Sequence, residues 1–193
     1  MSDTRTELLN VASEIFSRQG YDKTKVADIT KQAGLGHGTF YHYFNSKKDI
    51  FLELIKSFIW ILNKGISSLS IENTETKEEI EYNIKELYRV IFTTYQDNLY
   101  LAKIFFGETV NDPEIQETKN YFYKFCIEFI GNYIQIGVDK GLVREYDAKV
   151  IAYAIIGMAK EVAFQYLIVD TQHDIEYLVE QMAKFEAYGL IKD

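Results

Sequence analysis

The chain has 193 residues, 47% of them hydrophobic and 26% charged, enough for one large domain or two small ones with a real core and too apolar for a disordered tail. One Pro, eleven Gly and a single cysteine, Cys126, exclude a collagen-like chain, a disulfide-stapled module and a Cys-rich zinc module, and point to a reducing intracellular compartment. The formal net charge of −8 is unevenly spread: residues 1–48 hold seven Lys/Arg against five Asp/Glu, net +2, which leaves −10 for residues 49–193. A nucleic-acid contact confined to the N-terminal segment is therefore compatible with the overall acidity, because phosphate attraction acts within a Debye length of about 8 to 10 Å. No basic segment followed by a signal-length apolar run opens the sequence, and no run of about 18 uncharged apolar residues occurs. A soluble cytoplasmic protein with no membrane contact is expected.

Leu8, Val11, Ala12, Ile15 and Phe16 recur at helical spacing, which predicts a first helix from Asp3 or Thr4 to a cap at Gly20. Val26, Ile29 and Ala33 predict a second, ending at Gly34, and Phe40 with Phe44 a short third over 38–44. From a cap at Ser46, SKKDIFLELIKSFIWILNKGISSL predicts one helix of about 22 residues, roughly 33 Å long. The polar IENTETKEE reads as a connector. Further helices are predicted over about 76–95, 98–108 and 112–140, the last with Asp112 as cap and Pro113 in its first position. Two more follow over 147–169, capped by Asp147, and 174–188, stopped by Gly189. No alternating strand pattern longer than about four residues is present. The expected fold class is all-α, with about nine helices.

Segment 26–44, VADITKQAGLGHGTFYHYF, has the spacing of a helix-turn-helix, two helices crossing at about 90 to 120° through a turn that contains Gly. Gly34 suits the turn, where a side chain would cost energy, and Ala33 is small enough to let the helices approach. The third helix would bury Phe40 and Phe44 and present His37, Gly38, Thr39, Tyr41 and His42, a hydrogen-bonding row with little negative charge that can enter a major groove. Tyr43 is expected to face inward. Lys47 and Lys48 oppose the helix dipole at the start of the fourth helix, a cost best explained by an anionic partner. His37 and His42 have no carboxylate or cysteine at ligand spacing, so no metal is expected.

With Ser46 and Lys47, these residues resemble the DNA-binding domain of the TetR family of transcriptional regulators. The matching pattern covers about residues 5–51: an amphipathic first helix, Gly20 and Tyr21, Thr24, Val26 to Ile29, Ala33 and Gly34, the run Gly38 to Phe44, Lys47, Ile50 and Phe51. The resemblance implies phosphate contacts for Thr24, Tyr41 and Lys47, with Lys25 and Lys48 beside them, and for the N–H groups after Ser46. It implies base-edge positions for Gly38, Thr39 and His42. Two positions depart from the pattern: Gly36 stands where Ser or Thr commonly caps the third helix, and His37 where Lys is frequent. The resemblance divides the chain into a helix-turn-helix DNA-binding domain, residues 1–46, and a ligand-binding and dimerisation domain, residues 47–193.

Two features of the larger part support those roles. The segment DAKVIAYAIIGMAKEVAFQYLIV is apolar nearly all round, which suits a helix buried against a second copy. Ile155, Gly157, Met158 and Val162, with Leu178 and Met182 of the last helix, are its candidate interface, and burial within one subunit is the plain alternative. Fifteen Tyr and thirteen Phe make the chain rich in rings, and Phe122, Phe125 and Phe129 share one helical face. A packed core or the wall of a pocket for a long hydrophobic molecule would account for them. Trp60, Tyr88, Phe92 and Phe105 are the other candidate lining residues. A weak similarity in helix spacing to family members that regulate fatty-acid metabolism implies acyl-CoA as effector, with Arg89 or Lys103 meeting its phosphates.

Cys126 among these rings reads as a packed hydrophobe. No Ser-His-acid spacing, P-loop, dinucleotide glycine run or metal cluster is present, His173 lies in an expected loop, and neither catalysis nor a cofactor is expected. The reading is a homodimeric regulator, a repressor that leaves a palindromic double-stranded DNA operator when a small hydrophobic effector binds. A drug-efflux regulator sensing planar or cationic compounds, and a DNA-bound scaffold with no small ligand, are the rivals.

Overall fold

The structure, a computed structural model, describes residues 4–69, 74–107, 110–170 and 174–192. Asp3, His173 and part of the 71–79 connector lie outside the described residues. Among those described are nine α-helices and no strand: α1 (Thr4–Gln19), α2 (Val26–Gln32), α3 (His37–Tyr43), α4 (Lys47–Ser67), α5 (Lys77–Asp97), α6 (Leu99–Gly107), α7 (Pro113–Asp139), α8 (Ala148–Ala163) and α9 (Ile175–Leu190). They group into two compact units, Met1–Trp60 with Asn98–Lys119, and Ile61–Asp97 with Asn120–Asp193. The first unit thus continues past the expected 46/47 division to Trp60 and takes in α6.

In the first unit, the apolar stripe of α1 buries Leu8, Ala12, Ile15 and Phe16, and α1 packs on α6 and α2. Phe16 meets Phe51 of α4 edge-on at 5.0 Å, and Phe58 meets Phe105 of α6 at 5.5 Å. Burying each such ring contributes about 1.5 to 3 kcal/mol, which seats the small three-helix head on α4. In the second unit α5 packs chiefly on α9: Ile80, Ile84, Leu87 and Tyr88 are buried on one helix, and Leu178, Val179, Ala183 and Ala187 on the other.

Two helix ends differ from the sequence expectation. Residues Phe164–Val169 form a π-helical turn that continues α8, so the apolar 147–169 segment is not one uniform helix. α9 runs through Gly189 to Leu190, because tertiary bonds hold its end: Arg144 N–H donates to the Leu190 carbonyl at 2.9 Å and Lys192 N–H to that of Leu142 at 3.0 Å. Among the described residues, Ala148–Val169 is the one helical stretch long and apolar enough to cross a membrane. Lys149, Lys160 and Glu161 interrupt it, so it is not an uncharged run.

Candidate nucleic-acid interface and effector unit

Helix α2 opens without a hydroxyl cap; the Asp28 carboxylate instead accepts from the Lys25 N–H at 2.8 Å. It closes on Gly34, whose φ of +68° is the left-handed conformation, with Leu35 N–H donating to the Thr30 carbonyl at 2.9 Å. That turn aims α3. Phe40 and Phe44 are buried with ring centres 5.6 Å apart, which leaves Gly38, Tyr41 and His42 exposed, Thr39 half-buried and exposed His37 edge-on to Tyr41 at 5.4 Å. Gly36 caps the helix through its backbone position alone, with no side-chain bond. Tyr43 does not face inward: it is 38% exposed, because one residue of helical rotation separates it from the buried Phe44.

The other candidate DNA contacts are placed differently from one another. Thr24 is 1% exposed; its hydroxyl donates to the Gly20 carbonyl at 2.7 Å and accepts from the Gln19 amide at 3.3 Å. Lys25 is exposed. Lys47 turns its ammonium onto the Tyr21 carbonyl at 2.6 Å. Lys48 lies 3.0 Å from the Glu114 carboxylate and 3.5 Å from that of Asp112, and these raise its pKa, the hydrogen bond to Glu114 most. Sequence reasoning did not find these acidic partners, which lie more than 60 residues away along the chain. Ser46 caps α4, accepting from the Asp49 N–H at 3.1 Å.

The candidate pocket residues are divided between the units. Trp60, Lys103 and Phe105 belong to the first, where Trp60 is 63% exposed and Phe105 is buried under the Lys119 ammonium at 5.4 Å. In the second, Phe92 and Phe122 are buried, and Phe125 stacks on Phe129 at 6.2 Å. Tyr88 is fully buried and donates to the Glu186 carboxylate at 2.5 Å. Arg89 does not stand open to a phosphate: it forms a two-point ion pair with Glu176, at 2.7 and 2.8 Å, and another with Glu86. Cys126 is buried, its thiol pushed up to about 12 by loss of solvent.

Of the candidate pairing residues, Ile155 and Leu178 face the core of their own unit, Met158, Val162 and Met182 are half-buried, and Gly157 is exposed. The open face also carries Tyr153 and Ala154 of α8 and Phe185 and Tyr188 of α9, the last two 68% and 86% exposed. A groove of about 700 Å³ runs there between Tyr146, Met158, Phe185 and Tyr188. Phe185 and Tyr188 were missed, although their three-residue spacing off the buried stripe of α9 marks them as an outward aromatic pair.

A helix-turn-helix head whose second helix presents a polar row, joined to a separate helical unit, defines a DNA-binding transcriptional regulator. Residues 8–54, the head, match the bacterial regulatory proteins of the tetR family. The chain is 28% identical over 189 residues to an uncharacterized HTH-type transcriptional regulator of Bacillus subtilis, covering 98% of this chain and 93% of that one. It is 22% identical over 185 residues to the fatty acid metabolism regulator protein of the same organism, covering 95% and 94%. The crystal structure of the transcriptional regulator FadR from Bacillus subtilis in complex with stearoyl-CoA superposes with a TM-score of 0.76, at 22% identity, over 95% of this chain and 98% of that one.

Proposed function

We propose that the protein is a homodimeric, cytoplasmic repressor: the free dimer holds a palindromic operator, and a long hydrophobic effector, acyl-CoA first, releases it. The observation that carries this reading is that the likeness to fatty-acid regulators extends beyond the head over the second unit, the part that would hold the effector. Lys25, His37, Gly38, Thr39, Tyr41 and His42 are the DNA-facing set. Thr24 and Lys47 support it by holding the loop before α2, and Lys48 takes part once freed from its carboxylates. Phe122, Phe125 and Phe129, with Tyr88 and Phe92, are the apolar wall for the chain.

The ion pairs of Arg89 direct the phosphates of a CoA head elsewhere. A groove of about 800 Å³ between α7 and α8 offers donors in Lys149, Asn120, Asn132 and Gln135, with Lys124 standing 3.9 Å from the Glu128 carboxylate in the same wall. Pairing uses the open α8–α9 face, where exposed rings and small residues allow two helices from each copy to meet. Effector binding shifts a population: a ligand that prefers the DNA-incompetent arrangement draws the dimer from operator, and only differential affinity does so.

The test is a gel-shift titration of operator complex with acyl-CoA of about 8, 12 and 16 carbons beside a planar cationic dye. Release should strengthen with chain length, each buried methylene adding up to about 0.8 kcal/mol. Release by the dye alone would turn the reading to an efflux regulator, and release by neither to a scaffold without small ligand.

A further inference from the structure

Helix α3 carries the polar row of the head, yet it is seven residues long and too short to hold its own shape. Gly36 gives it no side-chain cap, and Gly38 in its first turn weakens it further. Its orientation must therefore come from its neighbours. At the N-terminal end the Gly34 turn fixes it, through the bond from Leu35 N–H to the Thr30 carbonyl. At the C-terminal end the chain leaves the helix at Phe44 in extended conformation, φ −138° and ψ 134°, with the Phe44 ring buried. That ring is the last inward anchor before α4 begins.

One side chain of α1 meets it. The Arg5 guanidinium stands 5.1 Å from the centre of the Phe44 ring, and its Nη2 donates to Oε2 of Glu53 on α4 at 2.5 Å. Three helices, α1, α3 and α4, thus meet at one half-buried arginine. Apolar burial alone would keep Phe44 inward without choosing the roll of the helix, because it is non-directional. A planar cation pinned by a carboxylate supplies the missing direction. From Phe44 the contacts continue along α3: its ring lies 5.6 Å from that of Phe40, which meets the Tyr41 ring edge-on at 5.3 Å. A shift of Phe44 is therefore passed to Tyr41 and to its neighbour His42.

We propose that Arg5 is a positioning residue for sequence recognition: pinned by Glu53, it sets the roll of α3 through Phe44, and so the aim of Tyr41 and His42, without touching DNA itself. This rests on the reading of α3 as the DNA-facing helix. It requires a loss of discrimination between sequences rather than of phosphate attraction. The full-length protein selects duplexes from a random pool, and the selected duplex and a scrambled one of equal length are titrated by fluorescence anisotropy over a salt series. Every variant is measured well below its own melting temperature. Arg5→Met, which keeps the stem and removes the cation, should bind the selected duplex about tenfold more weakly, the equivalent of one base contact. Its affinity for the scrambled duplex and its salt slope should stay at parental values. Arg5→Lys, whose cation can still lie over the ring, should fall between. Glu53→Gln should lose discrimination in the same way, and Arg5→Met combined with Glu53→Gln should lose no more than Arg5→Met alone.

Equal weakening on both duplexes, with a salt slope flatter by about one ion, would make Arg5 a phosphate contact and overturn the proposal. Parental discrimination in Arg5→Met, whatever its melting temperature, would reduce the pair to a contribution to stability and overturn it too. So would additive losses in the double variant, since Glu53 then acts apart from Arg5. A parent protein that enriches no duplex would overturn the DNA-facing reading of α3 and the proposal with it, a failure seen before any variant is made.

Discussion

The Lys47 ammonium donates to the backbone carbonyl of Tyr21 at 2.6 Å and stands 4.1 Å above the centre of that residue's ring. A cation at the start of α4 thus closes the loop between α1 and α2, and partial burial lowers its pKa. Two lysines of the head should in consequence behave differently. Lys47→Ala should destabilise the head by about 1 kcal/mol and weaken operator binding through the displaced loop. Lys25→Ala should leave the melting temperature unchanged and flatten the salt dependence of binding by about one ion. Thermal melts beside fluorescence anisotropy over a salt series separate the two. An unchanged melt with a flattened salt slope in Lys47→Ala would make that residue a direct phosphate contact.

Gly34 carries a φ of +68°, and a Cβ built on it would meet nothing within 4 Å. The penalty of Gly34→Ala is therefore backbone strain alone, roughly 1 to 2 kcal/mol in urea denaturation. Gly34→Asn should cost less, since Asn tolerates the left-handed region. Operator affinity should fall in the same order, because this turn sets the angle between α2 and α3. Equal stability of the Ala variant and the parent would contradict it.

Gly157 is exposed on α8 with open space around it. Gly157→Glu should leave the subunit's fold intact while placing like charges opposite each other across the proposed pairing face, at a cost of several kcal/mol to the dimer. Sedimentation velocity should show monomers, and operator binding should drop with them. A Gly157→Glu protein that remains dimeric would move the interface elsewhere.

The Glu186 carboxyl is raised in the folded state from an ordinary value of 4.5 to about 7, chiefly by burial. Folded protein then binds more protons than unfolded between those values, so the contribution of this group to stability falls as pH rises from about 4.5 through 7 and is flat below. The full loss is on the order of 3 kcal/mol. Denaturation of parent and Glu186→Gln at pH 5 and pH 8 should show the parent losing more across the interval. Parallel pH dependence in the two proteins would mean that Glu186 stays ionised throughout.

Helices were legible because their signal is local. The Leu8 to Phe16 stripe, the Phe40 and Phe44 pair and the Asp112-Pro113 start each declare a period or a cap within one or two turns, and the structure follows them to within a few residues. The end of α9 was not legible, because Gly189 is carried through by bonds to Leu142 and Arg144 from another part of the chain. The same limit separates the site residues. His37, Tyr41 and His42 follow from the rotation of a single helix, so their exposure could be read directly. The partners of Arg89, Lys48 and Tyr88 lie 87, 66 and 98 residues along the chain, at Glu176, Glu114 and Glu186. No periodicity reports such pairings, so a charge that looked available for phosphate proves to be engaged.

The hold of Asp112 and Glu114 on Lys48 makes operator binding an exchange rather than an addition. A phosphate that takes this ammonium displaces two tethered carboxylates instead of freeing a mobile ion, so the head carries part of its own counterion atmosphere. A count of its lysines should then overstate the ions released on the operator. Asp112→Asn with Glu114→Gln should restore the missing ion, tightening binding most at low salt and steepening its decline as salt is added.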